Sequence, residues 1–173
     1  MSDELGAHVS VAGGTPTAPA RAAELDAAVM QVFTKQPNRW AEREVDDDEA
    51  DAFRAARREH GIHTVASHDS YLINLATPDI TLLQRSLASF TAEVRRCEAL
   101  GIEYIVSHPG NATDGDPDRG LVQNAHAVID ALDATPGTVR VLLEGTAGAG
   151  TALGSTFQEL GERIARFKIC VFR

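Results

Sequence analysis

His68, His108 and Glu144 are the residues whose types and spacing could do chemistry. Each sits where an apolar run gives way to a glycine-rich or polar loop: Thr64-Val-Ala-Ser-His68-Asp-Ser-Tyr71, Tyr104-Ile-Val-Ser-His108-Pro-Gly110 and Val139-Arg-Val-Leu-Leu-Glu144-Gly-Thr146. The interval between them is about one β-α unit. Two imidazoles and a carboxylate are a sufficient ligand set for a catalytic zinc, with a further position left for water or substrate. A metal held there would make a nucleophile available near neutral pH and neutralise charge on the attacked group. A carboxylate after three apolar positions is costly to bury unless a cation or donors receive it. A lone histidine is usually structural. That reading suits His60, which precedes Gly61, His63, which starts a strand, and His126, which lies within a helix.

Elements that would position these residues alternate along the chain. Strands are expected at Leu5–Val9, Ala28–Phe33, His63–Ser67, Glu103–Ser107, Thr138–Leu143 and Lys168–Phe172, with five helices between them. The second helix opens on the acidic run Asp46–Glu49, which complements a helix N-terminus. The third is expected to be capped by Thr77, with Pro78 in its first turn and Leu83, Leu87, Phe90 and Val94 in one stripe. The fourth repeats Leu121, Val122, Ala125, Val128, Ile129 and Leu132 at helical period. The fifth starts at the capping box Ser155-Thr-Phe-Gln158, with Phe157, Leu160, Ile164 and Phe167 on one side. Gly61 and Gly101 are placed to end the second and third helices. Alternation of this kind implies a parallel sheet with right-handed crossovers, and an open doubly wound sheet or a closed barrel both satisfy it. Strand-end ligands are how barrel enzymes build their sites.

The chain has 173 residues and a formal net charge of −9. That charge argues against a general nucleic-acid coat, although a bound cation or a local basic loop would reverse the sign at a site. Cys97 and Cys170 form no C-x-x-C pair and read as buried thiols in a reducing compartment. The start, Met1-Ser-Asp-Glu4, lacks the regions of a signal peptide, and no apolar run approaches the ~18 residues of a membrane span. A cytoplasmic protein is expected. A full barrel of eight units takes ~250 residues. This chain supplies about five units and the start of a sixth strand. The expectation is therefore a single α/β domain over residues 1–173, the N-terminal portion of a larger TIM barrel. Its open edges at Leu5–Val9 and Lys168–Phe172 should favour self-association.

Six ordered motifs carry a family resemblance. Leu5-Gly-Ala-His8-Val-Ser10-x-x-Gly-Gly14, Phe33-Thr-Lys35-x-x-x-x-Trp40, His68-Asp-Ser-Tyr71-Leu-Ile-Asn-Leu75, Arg96-Cys-Glu98-x-Leu-Gly101, His108-Pro-Gly110 and Glu144-x-Thr-Ala-Gly148-x-Gly150 resemble endonuclease IV, the zinc-dependent apurinic/apyrimidinic endonucleases of base-excision repair. The resemblance implies a TIM (β/α)8 barrel with three zinc ions that cuts the phosphodiester 5′ to an abasic site in duplex DNA. By position, His68 and His108 would hold one zinc and Glu144 would bridge it to a second and serve catalysis. The family's remaining ligands come from later strands, so at most one well-formed zinc site is expected in this chain, with negligible nicking. Tyr71 and Leu72 would be wedge residues filling the gap in the base stack. Lys35, Asn38 and Arg39 would approach the DNA backbone. Asn38 stands where the family usually carries Arg, Gly145 where it carries Asn, and Ala112 where it carries a polar residue or His. His8 would be a hydrogen-bonding support behind the metal ligands.

Two other readings remain at this point. Sugar-phosphate isomerases and epimerases of xylose isomerase-like barrel type use similar sites, and binding to an abasic duplex would separate them from a repair nuclease. The third reading is a non-catalytic gene fragment, at best a remnant that holds one zinc or contacts DNA.

Overall fold

A computed structural model of the chain describes residues 4–156, 161 and 170–172. The elements run β1 (Gly6–His8), a 3-10 turn (Thr15–Thr17), α1 (Ala18–Ala23), β2 (Val29–Val32), α2 (Asp47–Glu59), β3 (Thr64–His68), α3 (Ile80–Leu100), β4 (Tyr104–Ser107), α4 (Pro117–Asp133), β5 (Arg140–Glu144) and β6 (Cys170–Phe172). Each strand falls within or one residue beyond its expected range. The capping box at Ser155–Gln158 and the expected fifth helix lie largely outside the described residues.

All six strands are parallel and lie in chain order, β1-β2-β3-β4-β5-β6. A doubly wound sheet reverses its order at a switch point, where it binds its ligand. This sheet never reverses. Sequential parallel strands with helical crossovers are the order of a (β/α)8 barrel, of which this chain forms part.

The helices cover one face. Phe90, Val94, Cys97 and Leu100 of α3, Phe53 of α2, and Val128 and Ala131 of α4 bury against Met30, Val32, Val65, Ile105, Val141 and Leu143 of the sheet. The spacing of the α3 residues is the apolar stripe of an amphipathic helix. The opposite face is a concave trough lined by Val29, Gln31, Thr64, Ala66, Tyr104, Val106 and Leu142.

Aspartates start three helices: Asp46, Asp79 and Asp116 accept the backbone N–H of Glu49, Leu82 and Arg119. The expected Thr77 cap of α3 is thereby corrected. The Thr77 hydroxyl instead accepts the Asp79 N–H, and the helix begins two residues later than a Thr77 cap would place it, with the Asp79 carboxylate on the Leu82 N–H. Gly101 ends α3 as expected, at φ 70° and ψ 35°.

A polar network is buried among these apolar contacts. Glu93 and Arg96 of α3 pair at 2.6 Å, Glu93 accepts the hydroxyls of Thr34 and Ser67, and Arg96 reaches Thr34 Oγ1 at 2.8 Å and Glu42 at 2.7 Å. Breaking such a pair leaves an uncompensated charge and costs about 3–5 kcal/mol. The network fastens the ends of β2 and β3 to α3.

Partial burial raises the Glu42 carboxyl, but hydrogen bonds from Lys35, Ser89 and Arg96 outweigh it and hold the group below its ordinary value. A depressed carboxyl contributes stability that is present above its unfolded pKa and lost as the pH falls through the folded one. Glu42→Gln should therefore melt below the wild type at pH 7, and the gap should close as the pH drops below about 4. A gap of constant size across thermal melts from neutral to acid pH would contradict this. The β1 edge and the exposed Leu5 beside it leave backbone groups open to pairing. The 173-residue chain should associate as its concentration rises, and sedimentation velocity that finds only monomer would count against it.

Candidate metal centre

Side chains alternate between the two faces along a strand. On β3, Val65 and Ser67 are turned to the helices, which leaves Thr64, Ala66 and His68 on the trough side. On β4 the same parity continues from Tyr104 and Val106 to His108, one residue past the strand. On β5 it runs from Leu142 to Glu144, and on β2 from Val29 and Gln31 to Phe33. His8 ends β1 on that face. Parallel register places these strand ends side by side, with His68 opposite Val106 and Glu144 opposite Phe172.

His68, His108 and Glu144 converge as expected. Their ligand atoms all lie within 4.8 Å of one another. His68 Nε2 is 3.3 Å and His108 Nε2 3.7 Å from Glu144 Oε2. The His68 Nδ1 stands 2.8 Å from the Asp69 carbonyl oxygen. A carbonyl only accepts, so Nδ1 carries a hydrogen, which leaves Nε2 as the ring nitrogen directed at the carboxylate. Two imidazole nitrogens directed at one carboxylate oxygen can share a cation with it, and a His-His-Glu set is a donor set that zinc uses. Burial lowers the His108 pKa and the nearby His68 adds to this, against an opposing pull from Glu144. His8 is likewise lowered, by burial and then by His68. Neutral imidazoles are the ligating form.

His8 occupies a different place from the one expected. It pairs with Gln31 at 3.0 Å and packs on Phe33, and Phe33 in turn packs on His68 and Tyr71 with centroids 5.4 and 5.2 Å away. Its link to the candidate ligands runs through the Phe33 ring rather than through a hydrogen bond. Phe33 opens one of the six motifs without a site role assigned from the sequence, and it stands at the parity position of its strand.

Tyr71 is 64% exposed, so it is no core residue. Leu72 beside it is half-buried. The Tyr71 N–H and the Ser70 hydroxyl both donate to Pro37 O, at 3.0 and 2.6 Å, which docks the loop after β3 on the loop after β2. Asn38 and Arg39 are exposed on that second loop, and Trp40 is covered by the Arg85 guanidinium at 4.5 Å. Lys35 corrects the expectation of a phosphate contact. Its ammonium is buried, donating to Glu42 at 2.7 Å and to Arg39 O at 2.8 Å, and is used in closing the loop.

A family model described as xylose isomerase-like TIM barrel matches residues 19–170. The chain belongs to that family. A protein named probable endonuclease 4 from Trichlorobacter lovleyi is 44% identical over 177 residues, covering 98% of this chain and 63% of the relative. The crystal structure of endonuclease IV from Thermus thermophilus aligns with a TM-score of 0.87 at 32% identity, over 98% of this chain and 61% of that one. The resemblance to endonuclease IV read from the motifs is borne out. A D-psicose 3-epimerase aligns at TM-score 0.73 with 14% identity, a likeness of fold alone, over 98% of this chain and 62% of that one. The chain spans 55% to 63% of the length of curated relatives that it matches. No helix among the described residues is long and apolar enough to cross a membrane.

In this xylose isomerase-like barrel the loops after β3, β4 and β5 are latched together. Asn74 accepts from Ala76 N and Asn111 N and donates to Asn111 O. Leu153 N donates to Gly110 O, and Ala112 N to Thr151 O. Ala112, one of the departures from the endonuclease IV pattern, is buried with Ala76, Leu121 and Leu153, so an apolar residue suits its surroundings. Gly110 is required by geometry: its φ is 94°, and a Cβ there would collide with Asn74 Oδ1. Gly110→Ala should cost about 1–3 kcal/mol in backbone strain alone, read by urea denaturation. Wild-type stability in that variant would show that the latch yields.

Proposed function

We propose that this chain carries the strand-end site of an endonuclease IV-type repair enzyme, which hydrolyses the phosphodiester 5′ to abasic sites in duplex DNA. The observation that carries the reading is the convergence of His68, His108 and Glu144 beside an exposed Tyr71, in a chain whose curated relatives are named probable endonuclease 4.

His68, His108 and Glu144 would hold zinc. When bound, zinc supplies positive charge against the phosphate and lowers the pKa of a water to about 7. The chain's own residues do the rest. His68 keeps Nε2 aimed inward through its bond to the Asp69 carbonyl. Glu144 brings carboxylate charge opposite both imidazoles and is the residue assigned to catalysis. Tyr71 offers an aromatic face and Leu72 an apolar one to the gap left by a missing base, where stacking gives about 1–3 kcal/mol. Asn38 and Arg39 are exposed where a phosphate backbone would pass. Lys35, buried and paired with Glu42, is not assigned a phosphate contact. The buried, free thiol of Cys97 suits work in a reducing cytoplasm.

The test is anisotropy with a duplex that contains one tetrahydrofuran abasic analogue, against the intact duplex at the same salt. The chain should prefer the abasic duplex by about tenfold or more, and Tyr71→Ala should remove most of that preference, in keeping with a loss of about 1–3 kcal/mol. EDTA should abolish any nicking. Equal affinity for both duplexes would overturn the proposal.

A further inference from the structure

The carboxyl of Asp69 has no part in the function proposed above, yet it is an ionisable group just past the end of β3 in a residue only 3% exposed. Its Oδ2 accepts the hydroxyl of Ser107 at 2.6 Å, and Ser107 is itself 0% exposed. Asp69 directly follows His68, and Ser107 directly precedes His108. One buried bond thus joins the neighbour of one candidate ligand to the neighbour of the other, across β3 and β4.

The backbone of Asp69 works to the same end. Its N–H donates to Val106 O at 3.0 Å, extending the β3–β4 ladder beyond His68, and its carbonyl receives His68 Nδ1 at 2.8 Å. His108, by contrast, lies past the last residue of β4 and beyond the paired register on either side. Strand parity turns the Ser107 side chain away from the trough, so its hydroxyl cannot be a ligand. Among the described residues its other acceptor is the His108 carbonyl, at 3.4 Å.

We propose that the Asp69–Ser107 hydrogen bond is a positioning brace that fixes the spacing and aim of His68 and His108 toward one shared divalent cation. The proposal rests on the reading of His68, His108 and Glu144 as ligands. His68 is the last residue of β3 and His108 lies one past β4, while the latch between their loops sits further out, at Asn74 and Asn111. Loosening the two imidazoles would lower metal affinity without dissolving the fold. Changes to such supporting partners cost roughly 10–100-fold in affinity.

The experiment is Co2+ titration of the full 173-residue chain against a chromophoric chelator, with melts of the metal-free protein as a control on folding. His68→Ala should lose binding by more than about 100-fold, beyond what a supporting residue costs. Ser107→Ala should weaken it about tenfold or more and alter the Co2+ absorption spectrum, at a melting temperature close to wild type. Ser107→Cys, near-isosteric but a poor donor, should show the same loss and serves if the alanine variant does not fold. Asp69→Asn keeps an oxygen that accepts the hydroxyl, and should stay within about threefold of wild type, well short of the loss expected for a broken support. Wild-type affinity in Ser107→Ala, where His68→Ala has lost it, would overturn the brace and leave the ligand set standing. Loss in Asp69→Asn but not in Ser107→Ala would also overturn it, because the charge and not the bond would then be acting. Equal binding by wild type and His68→Ala would overturn the ligand reading itself, and the brace with it.

Discussion

Parallel strands in register place every second side chain on the same face, and the candidate site is built on that alternation. His8, Phe33, His68, His108 and Glu144 come from five strand ends, and each is separated by even numbers of residues from trough-lining neighbours of its own strand. A slip of one residue in any strand would send its side chain to the helices. The helices oppose such a slip, because Met30, Val32, Val65, Ile105, Val141 and Leu143 would then have to leave the core. The hydrophobic effect thereby holds a polar site that it never touches.

A second constraint acts above the strands. The loops after β2, β3, β4 and β5 are joined in series, by Tyr71 and Ser70 to Pro37, by Asn74 to Asn111, and by Gly110 and Ala112 to Leu153 and Thr151. Below them the Glu93–Arg96 pair ties Thr34, Ser67 and Glu42 to α3. Tyr71 therefore stands on a supported loop while most of its ring is open to solvent. An aromatic side chain that is exposed and held from below suits insertion into a nucleic-acid stack.

A net charge of −9 does not favour DNA over the whole surface. At the site itself, a divalent cation would offset the carboxylates and invert the local sign. Affinity for DNA would then come from the cation, from Arg39 and from the shape of a lesion, and little from general attraction to phosphate.

The sequence by itself determined the strands, the start of α2 and the ends of α2 and α3, the family, and the three strand-end side chains that converge. These are legible because short apolar runs, aspartate and glycine punctuation and strand-end histidines are local signals. The barrel order over an open sheet was settled by strand pairing, which no local pattern encodes. Thr77 lost its cap to Asp79, whose carboxylate takes the Leu82 N–H, a competition between neighbours that propensity alone leaves open. Tertiary structure also decided the fate of individual side chains. Lys35 and Arg39 look alike as surface cations, yet one is buried against Glu42 while the other faces solvent. Asp69 and Ser107 each flank a histidine in the chain, and they meet only because β3 and β4 lie side by side. Burial and pairing depend on which strands become neighbours, so those roles belong to the fold.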